Sequence, residues 1–377
     1  MRGAVSRISV EGFKSIRELK DFDLGEVNVI VGANGSGKSN FIQIFRLLMA
    51  MTRKNLQKFV RENGGADNFL HNGPRQTSSI RMAFEFASLS DSAQGPNAYR
   101  LELAPTVDET FLVSEERKYV TSSWRSYGGP SSESRLFDER GETSLSGKSP
   151  GVGHYVYEAI ASWMVYHFHD TSSTAPMRRS EIVEDNRILR SDGANIAPFL
   201  LGLKNSDDHR ALYREIVEAT RLILPFFDDF LLDAVTMGEA EKVRLSWSQR
   251  GSDFPMQPYH FSDGSIRFIC LATALLQPRP PSTIVIDEPE LGLHPEAIRV
   301  LGELIRDGAE RTQIIVATQS PLLIDQFSVE EVVVVNRKEG QSLFERLDRD
   351  AFSRWLEEYS LGDLWVRNVI QGGSNHE

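Results

Sequence analysis

Apolar positions near the start of the chain switch abruptly from one period to another. Ile8-Ser9-Val10-Glu11-Gly12-Phe13-Lys14-Ser15-Ile16 alternates as a half-buried strand with a tight polar end. Val27, Val29, Ile30 and Val31 form a compact run of the kind found in a buried strand. Phe41, Ile42, Phe45, Leu48 and Met49 then recur at helical spacing, predicting a helix that continues to about Arg61. That helix would align Lys54, Lys58 and Arg61 on one face, either as a solvated stripe or as a contact for double-stranded DNA. Gly64 and Gly65 end it. Ile80, Met82, Phe84 and Phe86, then Tyr99, Leu101 and Leu103, alternate with polar residues and predict an antiparallel sheet.

Residues 121–153, rich in Ser and Gly, read as a long mobile surface loop or frayed hairpin. His167 and His169 would share one strand face; without a third ligand in view, a structural role outweighs a metal site. Leu212, Ile216, Ala219 and Ile223 line one side of a helix stopped by Pro225, placing a helical insertion over 171–255, without the heptads of a coiled-coil arm. Beyond it come a helix from Phe261-Ser262-Asp263-Gly264 to Leu276 and the strand Thr283–Asp287. A helix through Ile305, the strand Gln313–Thr318 and a valine-rich strand over Glu331–Asn336 follow. Trp355, Leu356, Leu361, Leu364 and Trp365 suit a tail folded back on the core.

The chemistry sits at the switches of period. Gly32-Ala33-Asn34-Gly35-Ser36-Gly37-Lys38-Ser39 fits G-x-x-x-x-G-K-[ST] between a strand and a helix. Its glycines let backbone N–H groups turn around phosphates, with a helix N-terminus behind them. Lys38 is expected to reach the β and γ phosphates, and Ser39 to hold Mg²⁺. Asp287, ending an apolar strand, would share that Mg²⁺, and Glu288 would polarise the attacking water. Gln319, at the tip of a neighbouring strand, would sense the γ-phosphate.

Composition adds little to this. The 377 residues allow two domains, or one with an insertion. A single cysteine, Cys270, excludes an internal disulfide framework and fits a reducing cytoplasm; it reads as a small buried hydrophobe. No apolar run is long enough to cross a bilayer, and the N-terminus lacks a signal-peptide core. A net charge of −11 argues against wholesale nucleic-acid binding.

In this order, the GFKSI opening, GANGSGKS, FSDGSIR, VIDEPELGLHP and IIVATQSP resemble ABC-type ATPases of the SMC, RecF and OLD group. They are most similar to compact, AAA-like bacterial heads without a coiled coil. The resemblance implies an α/β P-loop fold of ABC-ATPase head type, a mixed central sheet with an added antiparallel sheet. A nucleotide-binding lobe would span 1–170, the insertion 171–255, a second lobe 256–345 and a tail 346–377. It implies ATP bound by Lys14, Ser15 and the loop Asn34–Asn40 (Asn34, Gly35, Ser36, Gly37, Lys38, Ser39, Asn40). Ser262 and Gly264 would cap the γ-phosphate held by a second copy of the chain, and Glu290–His294 would form the D-loop between the two sites. A DNA-related or antiviral task carried out with a separately encoded effector protein is the expected role.

Two departures bear on rate. Gln319 stands where histidine is usual, and no Q-loop glutamine is evident; its place holds His167–Asp170. Slow hydrolysis is expected. Asp348-Arg349-Asp350 has a spacing seen in OLD-type nuclease sites, but the flanking chain looks too short for that domain. A transporter subunit fits less well, because FSDGS and the GFKSI opening argue against it.

Overall fold

The computed structural model describes residues 3–87, 97–119, 122–143 and 150–370. The first half runs β1 (Val5–Phe13), β2 (Ile16–Asp23), β3 (Val27–Val31), α1 (Lys38–Met51), α2 (Leu56–Glu62), β4 (Ile80–Phe86), β5 (Asn97–Pro105), β6 (Phe111–Lys118) and β7 (Arg125–Ser126). Next come α3 (Val152–Ala161), β8 (Met164–Tyr166), β9 (Glu181–Ile182), α4 (Ile196–Asn205), α5 (Arg210–Ile223), β10 (Phe227–Leu231), β11 (Val235–Met237), β12 (Ala240–Val243) and β13 (Ser246–Gln249). The second half holds α6 (Asp263–Leu276), β14 (Thr283–Asp287), α7 (Pro295–Ala309), β15 (Gln313–Thr318), α8 (Pro321–Ile324), β16 (Val332–Lys338), β17 (Gln341–Arg346), α9 (Arg349–Leu356) and α10 (Leu361–Val366).

Two large sheets organise these elements. The central one has the order β17-β16-β3-β15-β14-β8, parallel except for β17. Every residue of β3 and of β15 is buried, as expected of strands covered on both faces. The second sheet, β2-β1-β4-β5-β6-β7, is antiparallel, and β4 alternates buried with exposed or half-buried positions. One apolar core packs around α4–α7 and the tail; the other joins α1 to the antiparallel sheet through Phe41, Phe45 and Trp163.

A buried glutamine ties the sheets together. Gln313, 2% exposed, accepts from Val5 N at 3.1 Å and Thr283 Oγ1 at 3.0 Å. Its Nε2 donates to Val5 O at 2.8 Å and Gly25 O at 2.9 Å. All four bonding positions of the amide are thus used, joining β15 to β14 and to the start of β1.

Several expectations are corrected. The helix after the P-loop stops at Met51 because Lys54 takes a left-handed conformation at φ 54°. Asn55 N then bonds Ala50 O at 3.0 Å and Lys54 N bonds Met51 O at 3.2 Å, the Schellman pattern that closes a helix. Lys54, Lys58 and Arg61 therefore do not share one helix face. Lys54 pairs with Asp138 at 2.7 Å, and Lys58 lies 3.9 Å from Glu62. The insertion over 171–255 is only partly helical, since besides α4 and α5 it holds five short strands, β9–β13, in two small sheets. Within 121–153, residues 121 and 144–149 lie outside the described residues. The rest is ordered by β7, a 3₁₀ turn over Asp138–Gly141, a bridge from Thr143 to Pro150 and the start of α3. His167 and His169 follow β8 instead of lying on it. Leu361, Leu364 and Ile370 of the tail join the core, while Trp355 stays 46% exposed.

Gln313→Leu should destabilise the fold by about 3 kcal/mol, because an isostere without polar atoms strands the buried Val5 amide and the Gly25 carbonyl. Urea denaturation followed by circular dichroism measures it; a loss below about 1 kcal/mol would mean the stitch is dispensable.

Candidate active site

Parallel pairing places three strand ends side by side. Asp287 of β14 lies opposite Ala317 of β15, and Thr318 lies opposite Val31 of β3. The residues that follow these strands, Glu288, Gln319 and the P-loop, meet at one edge of the sheet. Such an edge is where open α/β sheets bind ligands.

The P-loop is shaped by close packing on one side and openness on the other. Gly37 has φ 119°, and a Cβ there would overlap Ser342 Oγ of β17. Gly35, at φ 79°, faces open space within 4 Å. Ser342, 1% exposed, donates its hydroxyl proton to the Ser36 carbonyl and pairs through the same oxygen with the Ser15 hydroxyl at 2.7 Å. Its amide donates to Ser15 O at 2.7 Å, and Asn40 Nδ2 reaches Ser15 Oγ at 2.7 Å. Arg337 Nη1 holds Gly35 O at 3.1 Å. Ser15 and Asn40 thus act in a polar clamp beneath the loop. The Lys14 ammonium lies 4.9 Å from the Phe69 ring centroid, and burial lowers its pKa.

Lys38, 6% exposed, donates to Gly32 O at 2.5 Å and Ala33 O at 3.2 Å. Burial lowers its pKa, and Glu288, Asp287 and Glu290 pull it back up. Helix α1 has no side-chain cap and no acid in its first turn, so its N-terminal amides suit an anion. Ser36 Oγ is buried without a hydrogen-bond partner. These features fit a nucleotide's phosphates.

The acidic side is equally defined. Burial and the neighbouring Glu288 raise the Asp287 pKa, while His169, Arg46 and Lys38 lower it. A carboxylate held in that state, with the exposed hydroxyl of Ser39 in the same site, is a hard-oxygen donor set suited to Mg²⁺. Glu288 adopts φ 44°, a strained conformation for a glutamate, and its amide bonds Ala317 O at 2.8 Å. Gln319 Nε2 donates to Glu288 Oε1 at 3.0 Å and to Asn34 Oδ1 at 2.8 Å, bridging the acid to the P-loop. Glu290 Oε1 accepts from Thr318 Oγ1 at 2.6 Å and Gln319 N at 3.2 Å, fixing the bridging residue from behind.

Ser262 caps α6, its Oγ accepting from Ser265 N at 3.1 Å, and is itself exposed. Gly264 packs so closely on Gly292 that a Cβ would overlap the Gly292 carbonyl. Sequence reasoning missed Ser342, Arg337, Arg178 and Arg267. Arg178 holds Thr171 O at 3.0 Å, Phe261 O at 3.1 Å and Asp263 Oδ1 at 3.0 Å. Arg267 donates to Phe168 O at 2.8 Å and His169 O at 3.1 Å. His169 Nε2 in turn donates to Asp287 O at 3.0 Å, so the segment suspected of replacing the Q-loop does reach the acidic strand end. Its ring stacks on His167 at 4.2 Å. Asp348 caps α9 by accepting from Asp350 N at 3.0 Å, and among the described residues no group of three or more His, Cys, Asp or Glu could hold a metal.

Residues 27–325 match the family described as "AAA domain, putative AbiEii toxin, Type IV TA system". The chain belongs to this family. This AAA-domain chain is 29% identical over 242 residues to structural maintenance of chromosomes protein 2 of Gallus gallus, covering 58% of the chain and 19% of that protein. It is 22% identical over 366 residues to the OLD nuclease of Thermus scotoductus, covering 92% of the chain and 62% of the nuclease. It thus spans less than two thirds of either relative. Among solved structures it resembles the SMC head bound to the C-winged helix domain of ScpA, with TM-score 0.61 and 15% identity over 93% of this chain and 99% of that one. A Smc head with an extended coiled coil, bound to the C-terminal domain of ScpA derived from Pyrococcus furiosus, aligns with TM-score 0.54 and 15% identity over 94% and 99%. The AAA-domain chain therefore has the P-loop ABC-type ATPase fold of an SMC head. No helix among the described residues is long and apolar enough to cross a membrane.

Gly37→Ala should weaken Mg²⁺–ATP binding about 100-fold, since strain and overlap of ~2–3 kcal/mol fall on the loop that must accept phosphate. Isothermal titration calorimetry checks this, with Gly73→Ala, at a positive-φ glycine in open space, as the control for strain alone.

Proposed function

We propose that this chain is an ATP-binding and ATP-hydrolysing head that pairs with a second copy when ATP is bound and thereby regulates a DNA-related or phage-defence process through a partner effector protein. The observation that carries this reading is the Gln319 bridge between Glu288 and Asn34, which ties the candidate water-activating carboxylate to the phosphate loop. Glu288 orients and polarises the attacking water, and Gln319 registers the γ-phosphate by hydrogen bonding. Mg²⁺ held by Ser39 and Asp287 would neutralise charge developing on the phosphates.

Pairing is supported by the exposure of Ser262 and by its place at the start of α6, where among the described residues its side chain hydrogen-bonds only Ser265. In the pair, Ser262 and Gly264 of one head cap the γ-phosphate held by Gly35–Ser39 of the other. Binding energy from two shared nucleotides closes the pair, and hydrolysis reopens it. Likeness to an SMC protein and to a nuclease supports a DNA-related setting. The amide in place of a titrating imidazole at Gln319 favours slow turnover.

Glu288→Gln should cut turnover about 100-fold while trapping an ATP-bound dimer. Size-exclusion chromatography with light scattering detects that species, and an unchanged monomer in saturating Mg²⁺–ATP would rule the pairing out.

A further inference from the structure

A groove of about 350 Å³ opens where α1 turns into α2. It is lined by Arg46, Arg53, Lys58 and one carboxylate, Glu62, together with the apolar Met49, Phe59 and Val165. The chain carries a net charge of −11, so three cations around one groove are a local reversal of its balance. Among the described residues neither Arg46 nor Arg53 forms an ion pair, and Lys58 meets only the exposed Glu62 at 3.9 Å. Cations interleaved with apolar side chains complement a chain segment that alternates carboxylates with apolar side chains.

Duplex DNA fits less well. Acidic residues flank the same corner: Asp138 pairs with Lys54, and Glu133 accepts from Leu56 N at 2.9 Å and Gln57 N at 3.1 Å. These carboxylates would face the phosphates of a duplex laid across α1 and α2, whereas a short segment confined to the groove meets three cations and one carboxylate, Glu62, which is itself beside Lys58.

The groove also touches the nucleotide site. His167 lines it, and Arg46 Nη2 donates to His167 Nδ1 at 3.4 Å. His167 stacks on His169, whose Nε2 bonds the Asp287 carbonyl. A carboxylate seated in the groove competes with His167 for Arg46 and so reaches Asp287 through two stacked rings.

We propose that this groove is the docking site for an acidic, amphipathic segment of a protein partner. The proposal gives chemistry to the effector named in the function above. Binding is measured without nucleotide, so failure of ATP hydrolysis or pairing leaves the result readable.

The probe is a short fluorescein-labelled peptide alternating Glu with Leu and Phe, titrated by fluorescence anisotropy against the full chain and against Arg53→Glu/Lys58→Glu. Saturable binding that weakens about tenfold or more in the variant, with its circular dichroism unchanged, is the expected result. A labelled DNA duplex serves as the competing ligand and should show weaker binding. Absence of peptide binding, binding indifferent to the charge reversal, or a duplex bound as tightly as the peptide would each overturn the proposal.

Discussion

The site rests on backbone register. Five facing residue pairs between β14 and β15, and five between β15 and β3, bring Glu288, Gln319 and the P-loop to one edge of the sheet. Because the pairing is parallel and every residue of β3 and β15 is buried, a one-residue slip would turn each side chain to the other face. The 3.0 and 2.8 Å bonds of Gln319 are consequences of that register. Glu290 and Gln313 then lock β15 at its two ends, one at the site and one at the opposite edge.

What could be read from the chain was whatever is contiguous along it. The P-loop, the acidic end of β14 and the polar end of β15 each carry their strand with them, so periodicity and local chemistry identified them together. The clamp beneath the P-loop has no such trace. Ser342 is 327 residues from Ser15, and nothing in Gln-Ser-Leu-Phe marks that serine as a support. Arg267 and Arg178 likewise act on carbonyls 99 and 83 residues away.

The misread stretches have local causes. Met-Thr-Arg-Lys-Asn contains neither Gly nor Pro, so the helix end at Lys54 depends on a left-handed lysine that composition does not signal. In the insertion, strands of two to five residues are shorter than any periodic window, and pairings such as Ile182 with Lys242 join segments far apart along the chain.

The contact of Gly264 with Gly292 joins the start of α6 to the loop that follows the acidic strand. With no side chain between them, the two backbones pack directly on each other. In the proposed pair, the element offered to a neighbouring head would thus be in direct contact with the loop that follows the chain's own acidic strand. In a pair built this way, each site would sense the other's contents mechanically. A side chain at Gly264 would therefore displace the loop that follows Asp287.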